Sequence, residues 1–237
     1  MNLKKLFLNH CKAKGLEINN NQITTIEAIN KFYQNNFNHK FIESLFSKKV
    51  NLPGFYLQGD VGVGKTMILN FFFENFSQNK HRLHFNEFMI SFHDFIFQNK
   101  NSKKDNNIDK FVVKLKRKYK LIYFDEFQVT NIVDAMILGS LFKKIFDANI
   151  KVIFSSNIKI NDLYKDGLQR DQFKPFMNTM SNACDEIELI IKEDYRKSSS
   201  NMLDRFFYPL NEETNFKINK IFRILTKNKK QSLKKLK

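Results

Sequence analysis

A glycine-rich loop between a short apolar strand and a buried helix limits the folds open to this chain. The loop fits the pattern G-x-x-x-x-G-K-[ST] in full, with Gly59, Asp60, Val61, Gly62, Val63, Gly64, Lys65 and Thr66. Residues 55–58 before it are apolar enough for a strand, and residues 67–73 after it for a buried helix. Glycines let backbone N–H groups curl closely around phosphate oxygens. The sequence therefore predicts a nucleoside triphosphate site at the start of this helix.

The last two residues of the loop supply chemistry that the backbone lacks. We expect the Lys65 ammonium to contact the β- and γ-phosphates as a point charge, and the Thr66 hydroxyl to bind Mg²⁺. A helix that begins at Lys65 also directs its positive end toward the phosphates. The alternative is a glycine-rich turn beside an unrelated lysine. It is disfavoured because three of the chain's 7 glycines fall in this one loop.

A second apolar run, residues 120–124, ends in two carboxylates, Asp125 and Glu126. A buried parallel strand delivers acidic side chains to the carboxyl edge of a sheet in this way. We expect Asp125 to hold Mg²⁺ through its water shell, and Glu126 to orient and deprotonate the attacking water. The alternative is a strand that ends in an ordinary polar turn.

A third apolar run is followed by Ser155, Ser156 and Asn157. The Asn157 carboxamide carries both a donor and an acceptor, which suits a contact with the γ-phosphate or with the attacking water. Asparagine is equally suited to cap the helix or turn that follows. On the residues alone, both interpretations of Asn157 stay open.

The alternation of apolar runs predicts an α/β fold. Strands are expected near residues 54–58, 81–85, 120–125, 150–155 and 185–190. Because helical segments separate them, the pattern favours a mostly parallel five-stranded sheet covered by helices on both faces. This is the base domain of a P-loop NTPase.

Three segments are predicted along the chain. Residues 1–50 form an N-terminal helical segment with an apolar stripe near helical spacing. Residues 51–210 form the P-loop base domain, and residues 211–237 form a basic tail that is helical or flexible. Within the base domain, residues 99–107 contain no apolar side chain and predict an internal loop.

Longer phrases in the sequence resemble the ZapE family of AAA+-related ATPases. The resemblance spans about residues 50 to 215 and is carried by FDEFQVT at 124–130 and LYKDGLQR at 163–170, with shorter matches at 82–85, 88–89, 134–139, 155–157 and 194–196. The two long phrases are far more specific than a phosphate loop. The resemblance implies an AAA+-like base domain that binds ATP with Mg²⁺ and hydrolyses ATP as a homo-oligomer.

Matched position by position, the resemblance assigns roles to single residues. Lys65 and Thr66 become the nucleotide and metal ligands, Asp125 and Glu126 the Walker B pair, and Asn157 the sensor. Arg170 becomes a candidate arginine finger, which neutralises charge on a phosphoryl group held by a neighbouring subunit. The alternative for Arg170 is a surface ion pair with Asp166 or Asp171.

The resemblance also implies a protein partner. Bacterial members of the family are associated with cell division and the FtsZ ring, and mitochondrial relatives with quality control of inner-membrane proteins. No run of about 18 apolar residues predicts a membrane-spanning helix, and the first residues, Met1 to Leu8, do not predict a signal peptide. A cytoplasmic location is therefore expected, with a peripheral contact at the inner membrane left open.

Family members usually continue well past the phrase at 194–196 into a region that completes the nucleotide-binding unit. Here the sequence stops at Lys237. A carboxyl-terminal lid is therefore expected to be absent or to come from another chain. Two interpretations follow: an ATPase that acts on a protein partner, or a nucleotide-binding scaffold with little hydrolysis.

The formal net charge of +16 raises the question of nucleic acid. Residues 211–237 hold nine Lys and Arg against two Glu, so the tail supplies much of the excess. A solvated basic tail that contacts anionic lipid or a partner explains this charge at least as well. Nucleic acid is not the expected partner, and a DNA-associated ATPase of the helicase-loader kind is the third interpretation.

Overall fold

The computed structural model describes residues 2–38, 51–99, 104–129, 132–165, 167, 169–191, 214–216 and 218–219. The chain divides into two compact units, Met1–Lys192 and Glu193–Lys237. In the second unit the described residues are helical. The rest of the predicted basic tail lies outside the described residues. The first unit carries the sheet and all the candidate site residues.

Helices and strands alternate along the described part of the first unit. In chain order they are α1 (Leu3–Lys14), α2 (Asn20–Phe37), β1 (Gly54–Gln58), α3 (Lys65–Asn75), β2 (Lys80–His84), α4 (Phe85–Gln98), α5 (Lys104–Lys118), β3 (Leu121–Asp125), α6 (Ile132–Asp147), β4 (Lys151–Ser156), α7 (Arg170–Ala183) and β5 (Cys184–Glu188). A 3₁₀ turn, Ile160–Asp162, lies between β4 and α7. The predicted strands were right to within two residues at each end.

The five strands form one parallel sheet in the order β2-β3-β4-β1-β5. In the register of the central strands, Gln58 at the end of β1 is paired with Ser156 of β4 and with Glu188 of β5. The carboxyl ends of these strands therefore lie side by side. The predicted five-stranded α/β fold is confirmed.

Helices cover both faces of the sheet, and successive strand residues pack on opposite sides. In β3, Ile122 and Phe124 pack with residues of α4 to α7, whereas Leu121 and Tyr123 pack with residues of α1 to α3. All five residues of β3 are buried. A strand buried on both faces reads as an unbroken apolar run, which is why these strands were visible in the sequence.

The predicted N-terminal helical segment contains α1 and α2, and residues 39–50 lie outside the described residues. The stripe of α2 is buried at Ile26 and Ile29, but Ile23 is only partly buried, and its neighbour Gln22 is 2% exposed. Both helices belong to the same core cluster as α3. The domain boundaries at residues 50 and 210 remain predictions.

The predicted loop at 99–107 was too long, because α5 begins at Lys104. The polar residues form the first turn of this helix, ahead of an apolar stripe that starts at Ile108. Asn107 is buried, and its Nδ2 donates to the carbonyl of Asn99, 2.9 Å away. From Lys104 onward, the run without apolar residues therefore corresponds to the polar first turn of a helix; residues 100–103 lie outside the described residues.

Candidate nucleotide-binding site

The candidate site lies at the carboxyl edge of the sheet. The phosphate loop, residues 59–64, leaves β1 and leads into α3, while β3 ends at Asp125 and β4 ends one residue before Asn157. Since all five strands are parallel, these ends share one edge, where ligands of open α/β sheets bind. The predicted loop, acidic pair and asparagine are thus brought to a single edge.

Two kinds of constraint explain the glycines of the loop. Gly62 and Gly64 have φ angles of 92° and 93°, in the left-handed region that side chains rarely adopt. At Gly59 a Cβ atom would lie 2.4 Å from the carbonyl oxygen of Leu189, which follows β5. The loop therefore needs glycine both for its turns and for its close approach to the segment that follows β5.

The first turn of α3 is available to an anion. The helix begins at Lys65, and within the described residues no side chain caps it, because the N-cap position is Gly64. The first N–H groups of a helix have no partner inside the helix. Together with the helix dipole they favour a phosphate group at this position.

Lys65 connects the phosphate loop to the end of β4. Lys65 is buried, with 7% of its surface exposed. Its Nζ donates to the carbonyls of Gly59 and Asp60, both at 2.7 Å, and to Oδ1 of Asn157 at 2.8 Å. An ammonium carries three hydrogens, so these oxygens match its donors. The lysine is held in the loop by oxygens that phosphate oxygens can replace.

The capping alternative for Asn157 is not what the structure shows. The 3₁₀ turn that follows has Lys159 as its N-cap, without a side-chain cap among the described residues. The turn after β4 is instead stabilised by Ser156, whose Oγ accepts from the N–H of Ile158 at 3.1 Å. The Asn157 carboxamide is exposed and points its oxygen at Lys65.

Asp125 is a buried carboxylate surrounded by donors. Its Oδ1 accepts from the Tyr123 hydroxyl at 3.0 Å and from the N–H of Glu126 at 3.2 Å, and its Oδ2 accepts from Arg82. Burial acts to raise the pKa of Asp125, but the hydrogen bonds from Arg82, Tyr123 and Ser155 and the guanidinium charge together lower it. The acid is therefore ionised at neutral pH.

Glu126 is exposed and has a φ angle of 52°. Such an angle is uncommon for a residue with a side chain and persists where the surroundings fix it. Two bonds fix the next residue: the N–H of Phe127 donates to the carbonyl of Ser155 at 2.7 Å, and Oγ of Ser156 donates to the carbonyl of Phe127 at 2.8 Å. The end of β4 thus holds the strained turn at Glu126.

Arg170 is the first residue of α7, at the same edge of the sheet. Its Nη2 donates to the carbonyl of Asn161 at 2.6 Å, and its buried Nε has no hydrogen-bond partner among the described residues. Asp171, which was considered as a partner of Arg170, instead pairs with Lys174, whose Nζ lies 2.6 Å from Oδ1 of Asp171. Asp166, the other acid considered, lies outside the described residues.

Sequence reasoning missed a contact from α2 to the phosphate loop. Nε2 of the buried Gln22 donates to the carbonyl of Val63 at 3.4 Å. A Cβ atom at Gly64 would lie 2.9 Å from the same Nε2. The sequence signal that could have indicated this contact is the position of Gln22, a polar residue four positions before Ile26 and so on the apolar stripe of α2.

Gly64→Ala is expected to destabilise the fold more than Gly15→Ala. Both glycines have positive φ angles, 93° and 62°, but a Cβ atom at Gly15 meets nothing within 4 Å. Gly15→Ala thus reports the backbone strain alone, about 1 to 2 kcal/mol. Gly64→Ala adds the contact with Gln22, about 1 kcal/mol more in the free energy of unfolding measured by urea denaturation.

The matched test is a double-mutant cycle with Gln22→Ala. If the close approach is real, Gly64→Ala costs less in the Gln22→Ala background than in the wild type. Equal costs in both backgrounds would show that the amide of Gln22 does not press on the loop.

A basic cleft of about 300 Å³ lies at the opposite, amino edge of the sheet. Lys116, Lys120 and Lys151 contribute to its lining. Burial lowers the pKa of Lys151, which begins β4 and is 7% exposed. Because lysines line this cleft, it is the competing position that we consider in a test of where nucleotide binds.

The fold and the phosphate loop define a P-loop protein with an AAA+-like α/β base. Among solved structures, AMPPCP-bound DnaA from Aquifex aeolicus aligns with a TM-score of 0.50 and 15% identity, covering 91% of this chain and 64% of that one. At that identity the likeness concerns the fold alone.

Relatives in sequence define the family more narrowly. The chain is 32% identical over 189 residues to the cell division protein ZapE of Escherichia coli K12, across 78% of this chain and 49% of that protein. It is 36% identical over 187 residues to lactation elevated protein 1 homolog B of Danio rerio, across 74% of this chain and 37% of that protein. The chain thus spans half or less of these relatives.

The chain belongs to the AFG1-like ATPase family, whose pattern matches residues 1–237. The predicted resemblance to the ZapE family is confirmed. Membership of an ATPase family implies nucleotide binding. The roles of the individual site residues remain predictions.

Proposed function

We propose that this chain binds ATP with Mg²⁺ at the carboxyl edge of its sheet and hydrolyses it. The observation that carries the proposal is the bond from Lys65 to Asn157, which joins residues 92 positions apart. It places the phosphate loop beside the end of β4, next to the strand that ends in Asp125. These are the parts that phosphoryl transfer to water requires.

Binding of the phosphates falls to the loop and to Lys65. The uncapped first turn of α3 supplies N–H donors, and the ammonium of Lys65 exchanges its carbonyl partners for phosphate oxygens. Asn157 stays within reach of the lysine and contacts the terminal phosphate or the water.

Thr66 and Asp125 fit the ligand chemistry of Mg²⁺. Both offer oxygen donors, which this ion prefers, and Asp125 is ionised. When bound, the ion neutralises charge on the phosphates. The exposed Glu126, held by the turn after β3, then orients the attacking water and accepts its proton.

Arg170 is proposed to act on the site of a neighbouring copy of this chain in a homo-oligomer. It lies at the same edge as the phosphate loop, and among the described residues its Nη2 donates to the carbonyl of the exposed Asn161. A guanidinium carries five N–H donors, so one such bond leaves further donors for a phosphate held by the next subunit.

Steady-state hydrolysis across a wide range of protein concentration tests this function. Turnover per chain is expected to rise with concentration, and Arg170→Ala is expected to lower it by about tenfold or more without weakening ATP binding. Arg170→Ala chains mixed with Lys65→Ala chains are expected to regain turnover, because each supplies what the other lacks.

Flat turnover per chain, or no recovery on mixing, would contradict a finger that acts between subunits. ATP binding without turnover at any concentration would favour the nucleotide-dependent scaffold instead. The concentration series thus separates the two candidate functions.

The partner is proposed to be a protein. One relative is named a cell division protein, which supports a role in cell division. The FtsZ ring and a membrane-protein substrate are the partners that the family resemblance implies. Over the described ranges, none of the helices is both long enough and apolar enough to cross a bilayer. For the basic tail we propose a peripheral contact with anionic lipid, because residues 211–237 carry nine Lys and Arg against two Glu, with nucleic acid disfavoured.

A further inference from the structure

Three donors of the chain occupy the carboxylate of Asp125. Tyr123, the N–H of Glu126 and Arg82 donate to it. A carboxylate accepts about four hydrogen bonds. The chain's own donors therefore take most of the acceptor positions of the acid that we propose as a metal ligand.

Arg82 is the donor that can leave without disturbing the core. Tyr123 is 0% exposed, and the N–H of Glu126 belongs to the main chain. The Arg82 side chain is 38% exposed and stands on β2, one of the two edge strands of the sheet. Its long stem lets the guanidinium move while β2 stays in place.

The guanidinium of Arg82 also lies near an aromatic ring. While Arg82 is bonded to Asp125, its Cζ atom lies 5.3 Å from the centroid of the Tyr123 ring. At this distance the face of an aromatic ring attracts a cation. This attraction does not depend on Asp125, so it favours a position beside the site after the bond to Asp125 breaks.

We propose that Arg82 is a positioning residue that competes with Mg²⁺ for Asp125. The inference rests on the proposed function, since it concerns the same site. Arg82 holds the carboxylate while the metal is absent and leaves it when the metal–nucleotide complex binds. Two cations at one carboxylate repel each other, so each weakens the binding of the other.

Arg82→Gln tests this competition through the metal requirement of nucleotide binding. A fluorescent ATP analogue is titrated at fixed concentration over a wide range of Mg²⁺, and the Mg²⁺ concentration at half-saturation is recorded. The loss of one charge-assisted hydrogen bond from Asp125 is expected to lower that concentration by about tenfold. Arg82→Lys, which keeps the charge but loses the planar fork, is expected to lower it by a smaller factor.

Lys159→Gln is the matched control. Lys159 is exposed, lies at the same edge two residues after Asn157, and pairs with Glu188 at 3.2 Å. The substitution removes the same charge without touching Asp125. Because salt screens exposed charges, its Mg²⁺ requirement is expected to stay within about twofold of the wild type.

The melting temperature distinguishes competition with Mg²⁺ from a role of Arg82 in supporting the fold alone. Without metal and nucleotide, Arg82→Gln is expected to melt below the wild type, because a buried carboxylate loses its partner. Adding Mg-ATP is expected to raise the melting temperature more in the variant than in the wild type. Equal increases in both proteins would indicate that Arg82 only supports the fold and would overturn the proposal.

The remaining outcomes separate this inference from the function beneath it. An unchanged or higher Mg²⁺ requirement in Arg82→Gln, with nucleotide binding still dependent on Lys65, would overturn the competition alone. No nucleotide binding by the wild type at any Mg²⁺ concentration would overturn the proposed function and the competition with it. If Arg82→Gln does not fold, Arg82→Lys carries the same test.

Discussion

Lys65→Ala is expected to abolish ATP binding at concentrations where the wild type is saturated. Each charge-assisted hydrogen bond from the ammonium to a phosphate contributes about 1.5 to 3 kcal/mol. Losing two of them weakens binding by about 100-fold or more. Isothermal titration with ATP in the presence of Mg²⁺ measures the effect directly.

Melting temperature shows whether the Lys65→Ala chain stays folded. The substitution leaves the carbonyls of Gly59 and Asp60 and the Asn157 amide without their donor, but it also removes a buried charge. The two effects oppose each other, so a modest change in melting temperature is expected. Lys159→Ala removes the same charge from the same edge and is expected to bind ATP normally. ATP affinity that survives in Lys65→Ala would place the nucleotide elsewhere.

Glu126→Gln is expected to remove turnover while ATP binding persists. A positioned general base contributes roughly 10² to 10⁴ in rate, so turnover per chain should fall by about 10³-fold. The amide of glutamine keeps the size of the side chain but cannot accept the proton. Release of phosphate under saturating ATP measures turnover, and titration on the same sample measures affinity.

Glu188→Gln is the control for the charge of Glu126. Glu188 ends β5 at the same edge and pairs with Lys159, so its loss changes the local field without changing the proposed base. It is expected to leave turnover within about twofold, since exposed pairs contribute little. Equal losses in both variants would point to the charge of the edge and not to a base at Glu126.

The parts of the fold that sequence reasoning predicted well are those with local signals. Buried strands such as β1 and β3 appear as unbroken apolar runs, and the phosphate loop has a fixed spacing of glycines. The bounds of the strands moved by no more than two residues. The order of the strands in the sheet has no such local signal and came from the structure.

The contacts that sequence reasoning missed join distant positions. Gln22 lies 41 residues before Val63, and Arg82 lies 43 residues before Asp125. The local periodicity of a sequence does not predict contacts between residues so far apart. Arg82 belonged to a phrase that resembles the family, but its partner became visible only when β2 and β3 were seen side by side in register.

Arg170 shows the same limit at short range. Two acids close to it in sequence suggested a local ion pair, yet Asp171 lies against Lys174 and Arg170 binds the carbonyl of Asn161. The direction of a side chain at the start of a helix depends on the turn before it. That turn includes Gln169 at a φ angle of 55°, which its residue type did not predict.

Hydrogen–deuterium exchange with and without Mg-ATP tests most directly whether nucleotide binds at this edge of the sheet. The account predicts slower exchange in peptides that cover residues 59–68 and 125–127, and no such change in Lys65→Ala. Unchanged exchange in both peptides would contradict it. So would protection confined to the basic cleft of Lys116, Lys120 and Lys151 at the opposite edge.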